Sequence, residues 1–351
     1  MDRLEANRNY DCFCGNGIAT EFVAGYLLEK HNLGISDPVP FKVAIISDRQ
    51  VSGYYYNEFE NQFILRNIHP RLIICDAQEA GKSLKTVSDI VADLRDTELG
   101  AQDWIIALGG GGVIDCASFA ASVYSGRCNL ILVPTTLGSM AESTVAEKAY
   151  LNSGKYKDTA AVKTDPTAVF ADPKFLSTVP SKYKSNGYAP IIRLALLADP
   201  SLITEVTANK DLREFLNRIY AARKAVEIKN PKLLTLGSEI AASIEGYFRF
   251  MNYSEGEALA LSLYSCVPDM LKAPLASVYS KLGLPITLQG VSRDMILKSL
   301  KENLRQAGSK TVNVVDYDAA ERGKWVIRDL TAEEAMELFA SRLDVIVPKG
   351  E

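Results

Sequence analysis

The stretch "DWIIALGGGGVIDCASFAAS", residues 103–122, decides the fold. An apolar run typical of a buried strand is followed by four consecutive glycines and then by a pattern typical of a helix. Glycines at this junction let bare backbone N–H groups approach an anion, such as a diphosphate, at the positive end of the helix. They are equally typical of a tight turn, and Ile114 stands where the GxGxxG dinucleotide fingerprint has its third glycine.

The first half of the chain alternates short apolar runs with helical patterns. Strands are predicted at 41–48, 71–77, 103–112, 129–136 and 167–173, and helices at 83–95 and from the glycines to about 124. Fully apolar strands that alternate with helices indicate a parallel sheet covered on both faces.

Beyond residue 180 the β-branched runs nearly disappear. Segments 211–229, 232–250 and 255–272 carry apolar residues at helical spacing, and 309–328 is predicted to form a hairpin. With 351 residues the chain is long enough for two cores. The predicted fold class is therefore α/β, with a Rossmann-like parallel-sheet domain at 1–180 followed by a mostly α-helical domain at 181–351.

Composition narrows the class of partner. A formal charge of −4 and the lack of a dense Lys/Arg run argue against nucleic acid. No apolar run approaches the about 20 residues that cross a bilayer, and the N-terminus lacks the apolar core of a signal peptide. Six scattered cysteines without a CxxC pair argue against a zinc knuckle. We expect a cytoplasmic protein that has no membrane partner.

Polar residues follow several of the predicted strands. Asp48 stands where a carboxylate accepts ribose hydroxyls, or where it caps the next helix. Glu79 and Lys82, in "EAGK", form a charged pair beside a nucleotide or the exposed start of a helix. Thr135 and Thr136 suit a phosphate or ribose, or cap the next element. Together with the glycines they favour a nucleotide-binding edge.

The order of several short motifs resembles that of the dehydroquinate synthase family of sugar-phosphate cyclases. The motifs extend over roughly residues 40–270 and read "DAQEAGKSL", "ALGGGGVIDCASFAAS", "LVPTTLGSMAESTVAEK", "VFADPKFLSTVP", "NGYAPIIRLALLADP", "LLTLGSEIAASIE" and "YSEGEALAL". The resemblance implies a Rossmann-like NAD domain, a helical C-terminal domain, tightly held NAD, a divalent metal and a homodimer. It also implies a lyase reaction in which a sugar-phosphate alcohol is oxidised, phosphate is eliminated, the hydride is returned and a carbocycle closes.

The cofactor positions implied by the resemblance match in residue type. They are Asp48, Glu79, Lys82, Gly109, Gly110, Gly111, Asp115, Thr135, Thr136, Phe175 and Thr178. Ile114 departs from the glycine that is usual in the family. The resemblance therefore predicts NAD as the cofactor.

The metal positions implied by the resemblance are altered. The family uses one glutamate and two histidines, whereas Pro190 here replaces the glutamate, Ser238 one histidine and Glu255 the other. Proline has no donor atom and serine is a poor ligand, so only Glu255 is competent and we expect classical zinc binding to be lost. Pro190 costs little if it lies in a first helical turn. A replacement site for magnesium or manganese remains open among the carboxylates of Glu142, Glu239, Glu245 and Glu255.

Of the substrate-contacting positions that the resemblance implies, some match the family in residue type and others do not. Lys148 and Lys224 match lysines that contact the phosphate or carboxylate of the substrate, and Arg193 keeps positive charge where the family has lysine. Asn152 matches an active-site asparagine, and Glu142 replaces an aspartate. These five residues are the predicted catalytic residues.

Three functions follow. The first is a 3-dehydroquinate synthase-like NAD-binding protein, a divergent cyclase acting on a sugar phosphate or phosphorylated sugar acid with a rebuilt or absent metal site. The second is an NAD-binding pseudoenzyme that acts as a regulatory or assembly partner. The third is a polyol dehydrogenase of the glycerol dehydrogenase type, in which "GGGG…D" and "PTT" also occur. The third function needs metal ligands that are commonly histidines, and the C-terminal half of the chain has none.

Overall fold

The computed structural model describes residues 2–6, 8–208, 211–306, 311–318 and 324–348. By their internal contacts they form two compact units. Unit 1 comprises residues 1–153, 158–180 and 211–217, and unit 2 comprises 154–157, 181–210 and 218–351. The two units are not divided by a single boundary after residue 180. Residues 154–157 belong to unit 2, and residues 211–217 belong to unit 1.

Unit 1 contains a seven-stranded sheet and a separate hairpin. The strands are β1 (Asp2–Arg3), β2 (Asp11–Cys14), β3 (Val43–Ser47), β4 (Arg71–Ile74), β5 (Trp104–Gly109), β6 (Asn129–Pro134), β7 (Lys148–Ser153), β8 (Tyr156–Lys163) and β9 (Ala168–Ala171). The helices are α1 (Ile18–Lys30), α2 (Arg49–Ile64), α3 (Leu84–Asp96), α4 (Gly111–Val123) and α5 (Leu137–Ala141). The hairpin pairs β7 with β8, and its tip belongs to unit 2.

The sheet has the order β1-β2-β9-β6-β5-β3-β4. All neighbours pair in parallel except β1, which is antiparallel to β2. On the sheet, Leu27 of α1 and Phe59 of α2 share one apolar core with Ile45 and Ile106. This parallel sheet with helices confirms the predicted α/β class.

Strand order also locates the crevice of the sheet. β3 and β5 are neighbours, yet the chain leaves β3 toward β4 and leaves β5 toward β6, in opposite directions. Because parallel crossovers are right-handed, the helices that follow β3 and β5 lie on opposite faces of the sheet. A crevice opens between the carboxyl ends of such strands, which is where open α/β sheets bind ligands.

Unit 2 is mostly helical, as predicted. Its helices are α6 (Ser181–Lys184), α7 (Tyr188–Leu197), α8 (Leu202–Val206), α9 (Leu212–Lys229, which begins in unit 1), α10 (Ser238–Tyr247), α11 (Glu255–Cys266), α12 (Asp269–Leu282), α13 (Arg293–Gln306) and α14 (Ala332–Ile346). Strands β10 (Thr311–Asp318) and β11 (Lys324–Thr331) pair antiparallel and confirm the predicted hairpin, whose turn lies outside the described residues. Ile244, Leu261, Tyr279 and Phe339 are fully buried.

Two predicted helices are shorter than the sequence indicated. The segment 232–250 is helical only from Ser238, because a 3-10 turn precedes it and Gly237 adopts a left-handed φ of +81°. The segment 255–272 is divided into α11 and α12 by Pro268, which holds the preceding residue extended. No described helix is both long and apolar enough to span a bilayer.

Candidate functional site

The glycine run forms the junction between β5 and α4. A Cβ on Gly112 would lie 1.8 Å from the carbonyl oxygen of Ala77, and one on Gly109 would lie 2.6 Å from Val113 Cβ. Close packing of the strand end and helix start therefore requires these two glycines. Gly110 is the N-cap of α4 and, as a glycine, offers no side chain to cap the first N–H groups of that helix. The junction is a tight turn whose helix start keeps bare backbone donors.

Lys82 lies in unit 1 within a group of carboxylates. Its side chain is 6% exposed, and Nζ lies 2.9 Å from Asp115 Oδ2, 3.3 Å from Asp158 Oδ1 and 3.7 Å from Glu79 Oε1. Burial raises the pKa of Asp115 to about 6, although the Lys82 ammonium opposes that shift. The alternative of an exposed helix start is wrong for Lys82, because α3 begins at Leu84.

Asn152 joins the same group, which we call the Lys82 cluster: Glu79, Lys82, Asp115, Asn152 and Asp158. The Asn152 amide donates to Glu79 Oε1 at 2.9 Å and to the Glu79 carbonyl at 3.0 Å. Its Oδ1 accepts from the Asp158 N–H at 2.9 Å. The structure therefore brings a predicted catalytic residue, Asn152, to three predicted cofactor residues.

The two threonines after β6 have local structural roles. The backbone N–H of Thr135 donates to the Gly109 carbonyl at 2.9 Å, which continues the pairing of β5 with β6. The Thr136 hydroxyl caps α5 by accepting from the Ser139 N–H, and Ser139 reciprocates in a capping box. Capping, one of the two predicted roles for this pair, is confirmed for Thr136.

Asp48 also caps a helix. Its Oδ1 accepts from the backbone N–H groups of Gln50 and Val51 at 2.8 and 2.9 Å, at the start of α2. Both hydrogen bonds use Oδ1, so this role is compatible with contact of Oδ2 with a ligand. Asp48 directly follows β3, on the same edge of the sheet as the glycine run.

The last two predicted cofactor residues pack against Tyr55 in unit 1. The Phe175 side chain is fully buried, with its ring centroid 4.6 Å from that of Tyr55. The Thr178 hydroxyl lies 2.6 Å from the Tyr55 hydroxyl. Phe175 therefore lies in the apolar core of unit 1, and Thr178 contacts the polar end of Tyr55 at the edge of that core.

Pro190 is the third residue of α7. Its missing N–H belongs to the first turn, where a helix has no internal partner to offer, so the predicted placement is confirmed. The proline ring is buried and has no atom that ligates a metal. In the same helix, one turn further on, lies Arg193.

Ser238 is the first residue of α10. Its hydroxyl oxygen lies 3.5 Å from Arg193 Nη1, and the Arg193 side chain is largely buried at 8% exposure. A guanidinium beside a serine hydroxyl opposes the binding of a metal cation there. The two altered family positions, Arg193 and Ser238, are therefore neighbours.

Glu255 is the first residue of α11, and the preceding residue, Ser254, caps this helix in a capping box with Glu257. Its Oε1 lies 2.8 Å from the Nζ of Lys157, which also lies 2.9 Å from each carboxylate oxygen of Glu245. The Lys157 side chain is 9% exposed and that of Glu245 is 2% exposed. The one competent ligand is thus already paired with a lysine ammonium.

These side chains do not fit a zinc-type centre. Such a centre needs at least three protein donors, and here one position has none, one is a hydroxyl beside a guanidinium and one is an ion-paired carboxylate. Within the described ranges, no group of three or more His, Cys, Asp or Glu residues is arranged to hold a metal ion. Glu142, at the end of α5, lies in unit 1, whereas Glu239, Glu245 and Glu255 lie in unit 2.

Lys148 and Lys224 are exposed. Lys148 begins β7 in unit 1, and Lys224 lies on α9 within unit 2. Sequence reasoning missed Lys157 and its pairing with Glu245. One signal was available, because Ser238, Ala242 and Glu245 are spaced i, i+4 and i+7 and so share one face of α10.

A parallel sheet with a glycine-rich switch-point edge, in a chain with a mainly helical second unit, defines a doubly wound α/β protein. Residues 72–186 match the family described as 3-dehydroquinate synthase N-terminal. Over 326 residues the chain is 27% identical to a 3-dehydroquinate synthase of Methylacidiphilum infernorum (isolate V4), covering 86% of this chain and 87% of that protein.

Solved structures show the same fold. One is the 2-epi-5-epi-valiolone synthase of Streptomyces hygroscopicus subsp. jinggangensis 5008, with NAD⁺ and Zn²⁺ bound (TM-score 0.79, 18% identity, 96% and 97% of the two chains). Another is 2-deoxy-scyllo-inosose synthase complexed with carbaglucose-6-phosphate, NAD⁺ and Co²⁺ (TM-score 0.78, 20% identity, 97% and 99%). The resemblance to the dehydroquinate synthase family is confirmed, and the chain has the fold of these two sugar-phosphate cyclases.

Proposed function

We propose that this protein is a 3-dehydroquinate synthase-like sugar-phosphate cyclase that binds NAD in unit 1. The observation that carries the proposal is the switch point between β3 and β5. Asp48 follows the first of these strands and the glycine run follows the second, so both meet at the edge where such sheets bind ligands. A similar arrangement accommodates dinucleotides in Rossmann-like folds.

The residues of unit 1 fit the chemistry of NAD. The uncapped start of α4 offers backbone donors to a diphosphate, and Asp48 Oδ2 suits a ribose hydroxyl. The Lys82 cluster is preorganised, because its hydrogen bonds hold Asn152 and Glu79 in place. Bound there, NAD would supply the hydride acceptor and donor for oxidising and reducing one carbon of a sugar phosphate.

A phosphorylated substrate requires positive charge. Lys148, Lys224 and Arg193 are the proposed contacts to its phosphate or carboxylate, at positions that the resemblance assigns. Arg193 is also the proposed stabiliser of the alkoxide that forms when the sugar alcohol is oxidised, with Lys224 as the alternative. A largely buried guanidinium interacts more strongly with such a charge than an exposed one does.

The altered metal positions favour a second candidate, an NAD-binding pseudoenzyme that regulates or assembles with another protein. Pro190 and Ser238 lack the donors that a metal-assisted cyclase needs. In this case NAD would bind, no sugar phosphate would be turned over, and a protein partner would be detectable. The homodimer implied by the resemblance is a further proposal, which sedimentation of purified protein would test.

Phosphate release distinguishes the two candidates. Purified protein would be given NAD and 3-deoxy-arabino-heptulosonate 7-phosphate, with zinc, cobalt, manganese, magnesium or chelator in parallel. Release under any condition, abolished by Arg193→Ala, supports the cyclase. No release in a sample that binds NAD by titration calorimetry supports the pseudoenzyme for this substrate, and no NAD binding contradicts both candidates.

A further inference from the structure

Lys157 is held by three carboxylate oxygens in unit 2. An ammonium group carries three N–H donors, and here Glu245 Oε1, Glu245 Oε2 and Glu255 Oε1 all lie 2.8–2.9 Å from Nζ. Charge-assisted contacts of this length are strong, and each donor has an acceptor. Carboxylate oxygens of this kind are also the ligands that hard divalent cations prefer.

The backbone of the β7–β8 hairpin places Lys157 beside Glu245 and Glu255. Lys157 lies at the tip of the β7–β8 hairpin, and the carbonyl of Lys155 packs against Gly246, the residue after Glu245. A Cβ on Gly246 would lie 2.2 Å from that carbonyl oxygen, so only glycine allows this approach. Lys155 in turn pairs with Glu302 of α13. The backbone packing at Gly246 therefore fixes the hairpin tip beside the Lys157 site, and the partly exposed Lys155 side chain is not needed for that contact.

The site includes the ligand position that the family would use. Glu255 is the one competent donor among the three metal positions, and Glu245 lies on the same face of α10 as Ser238. At the other end of that face, the Arg193 guanidinium lies beside Ser238. The face of α10 that begins at a metal position thus has a fixed organic cation near each end.

From this geometry we infer that the Lys157 ammonium takes the place of a divalent cation at Glu255. The two carboxylates then have a permanent ammonium counter-ion that needs no metal loading, and divalent ions are excluded from Glu245 and Glu255. This inference goes beyond the proposed function and does not depend on NAD binding or on turnover, because it concerns only which cation these carboxylates hold.

The test measures metal binding by the full chain. Chelator-treated wild-type protein is titrated with Co²⁺ and Mn²⁺ by calorimetry, beside Lys157→Met and its matched control Lys155→Met. Removing the Lys157 ammonium exposes two carboxylates, so Lys157→Met should bind either ion at least about tenfold more tightly than wild type. Lys155→Met and the charge-conserving Lys157→Arg should match wild type. Adding Glu255→Gln to Lys157→Met should abolish the gain.

Two results would overturn the inference. One is stoichiometric Co²⁺ binding by wild-type protein that disappears in Glu255→Gln, since the carboxylate would then be available to metal. The other is a Lys157→Met variant that binds no more tightly than Lys155→Met. If Lys157→Met does not fold, thermal unfolding of wild-type protein decides: the melting temperature should be equal with Co²⁺ and with chelator, and a Co²⁺-dependent rise that Glu255→Gln removes overturns the inference.

Discussion

Lys82 in unit 1 and Lys157 in unit 2 are both largely buried among carboxylates, but the resemblance assigns different roles to the residues around them. The partners of Lys82 include Glu79 and Asp115, which match the residue types of the family at its cofactor positions. Lys157 is paired with Glu255, to which the resemblance assigns the position of a metal-binding histidine. The same chemistry, a lysine within an acidic group, thus occurs beside positions that the resemblance assigns to the cofactor in one unit and to the metal in the other.

The comparison teaches that a carboxylate at a position the resemblance assigns to a metal ligand can take a lysine ammonium as its counter-ion. A buried carboxylate costs several kcal/mol unless a cation accompanies it. In unit 1 the cation, Lys82, is itself one of the residues that the resemblance assigns to the cofactor, whereas in unit 2 Lys157 and Arg193 contact Glu255 and Ser238, which it assigns to the metal. The first predictions test whether the cofactor edge of unit 1 depends on its fixed geometry.

The largest effect is expected for Gly112→Ala. The new methyl would lie 1.8 Å from the Ala77 carbonyl oxygen, so the β5–α4 junction must move. We expect the free energy of unfolding to fall by about 3 kcal/mol or more and NAD binding to be lost. Urea unfolding measures the free energy of unfolding, and titration calorimetry measures NAD binding. Gly53→Ala is the control, because its added Cβ would meet no atom within 4 Å other than its chain neighbours and the backbone of α2, and alanine should stabilise α2 by about 0.5–1 kcal/mol.

Lys82→Met should weaken NAD binding and stability together. It leaves Asp115, with its raised pKa, buried without its cation, which should cost about 3 kcal/mol of unfolding free energy. We expect NAD affinity to fall at least tenfold, or about 1.4 kcal/mol. Lys85→Met removes an exposed pair with Asp89 and should change stability by less than about 0.5 kcal/mol. Equal NAD affinity in Lys82→Met and wild type would contradict a cofactor role for the Lys82 cluster.

Glu239→Gln should change the pH dependence of unit 2. Burial raises the Glu239 pKa from 4.5 to about 7, against the opposing charges of Arg342 and Arg193. A carboxyl with a raised folded-state pKa stabilises the fold below pH 4.5, and that stability is lost as pH rises through about 7. Glutamine does not titrate, so as pH rises from 4.5 to about 7 the free energy of unfolding of the variant should increase by about 1–3 kcal/mol relative to that of wild type. Parallel curves for the two proteins would contradict the raised pKa.

Much of the fold of unit 1 could be predicted from the sequence, because the apolar runs and the glycine run act on their own segments of the chain. The apolar runs around Ile45 and Ile106 predict central parallel strands, and the glycine run fixes where β5 ends. The sequence did not predict β2, because it is short and begins with the charged Asp11, nor the β7–β8 hairpin, because β8 is largely polar and has no buried residue. The Lys157 site could not be predicted, since lysine and glutamates far apart in the chain meet only through the tertiary packing at Gly246.

The smallest effect is expected for Pro190→Ala. The proline N atom would have no partner in the first turn of α7, so alanine restores no hydrogen bond and stability should change by less than about 1 kcal/mol. Pro274 is the matched control, because it lies inside α12, where alanine restores an interior hydrogen bond and should raise the free energy of unfolding by more. Urea unfolding compares the two. A loss of several kcal/mol in Pro190→Ala would mean that the buried proline ring is itself required for packing, and that the altered metal position has acquired a structural role.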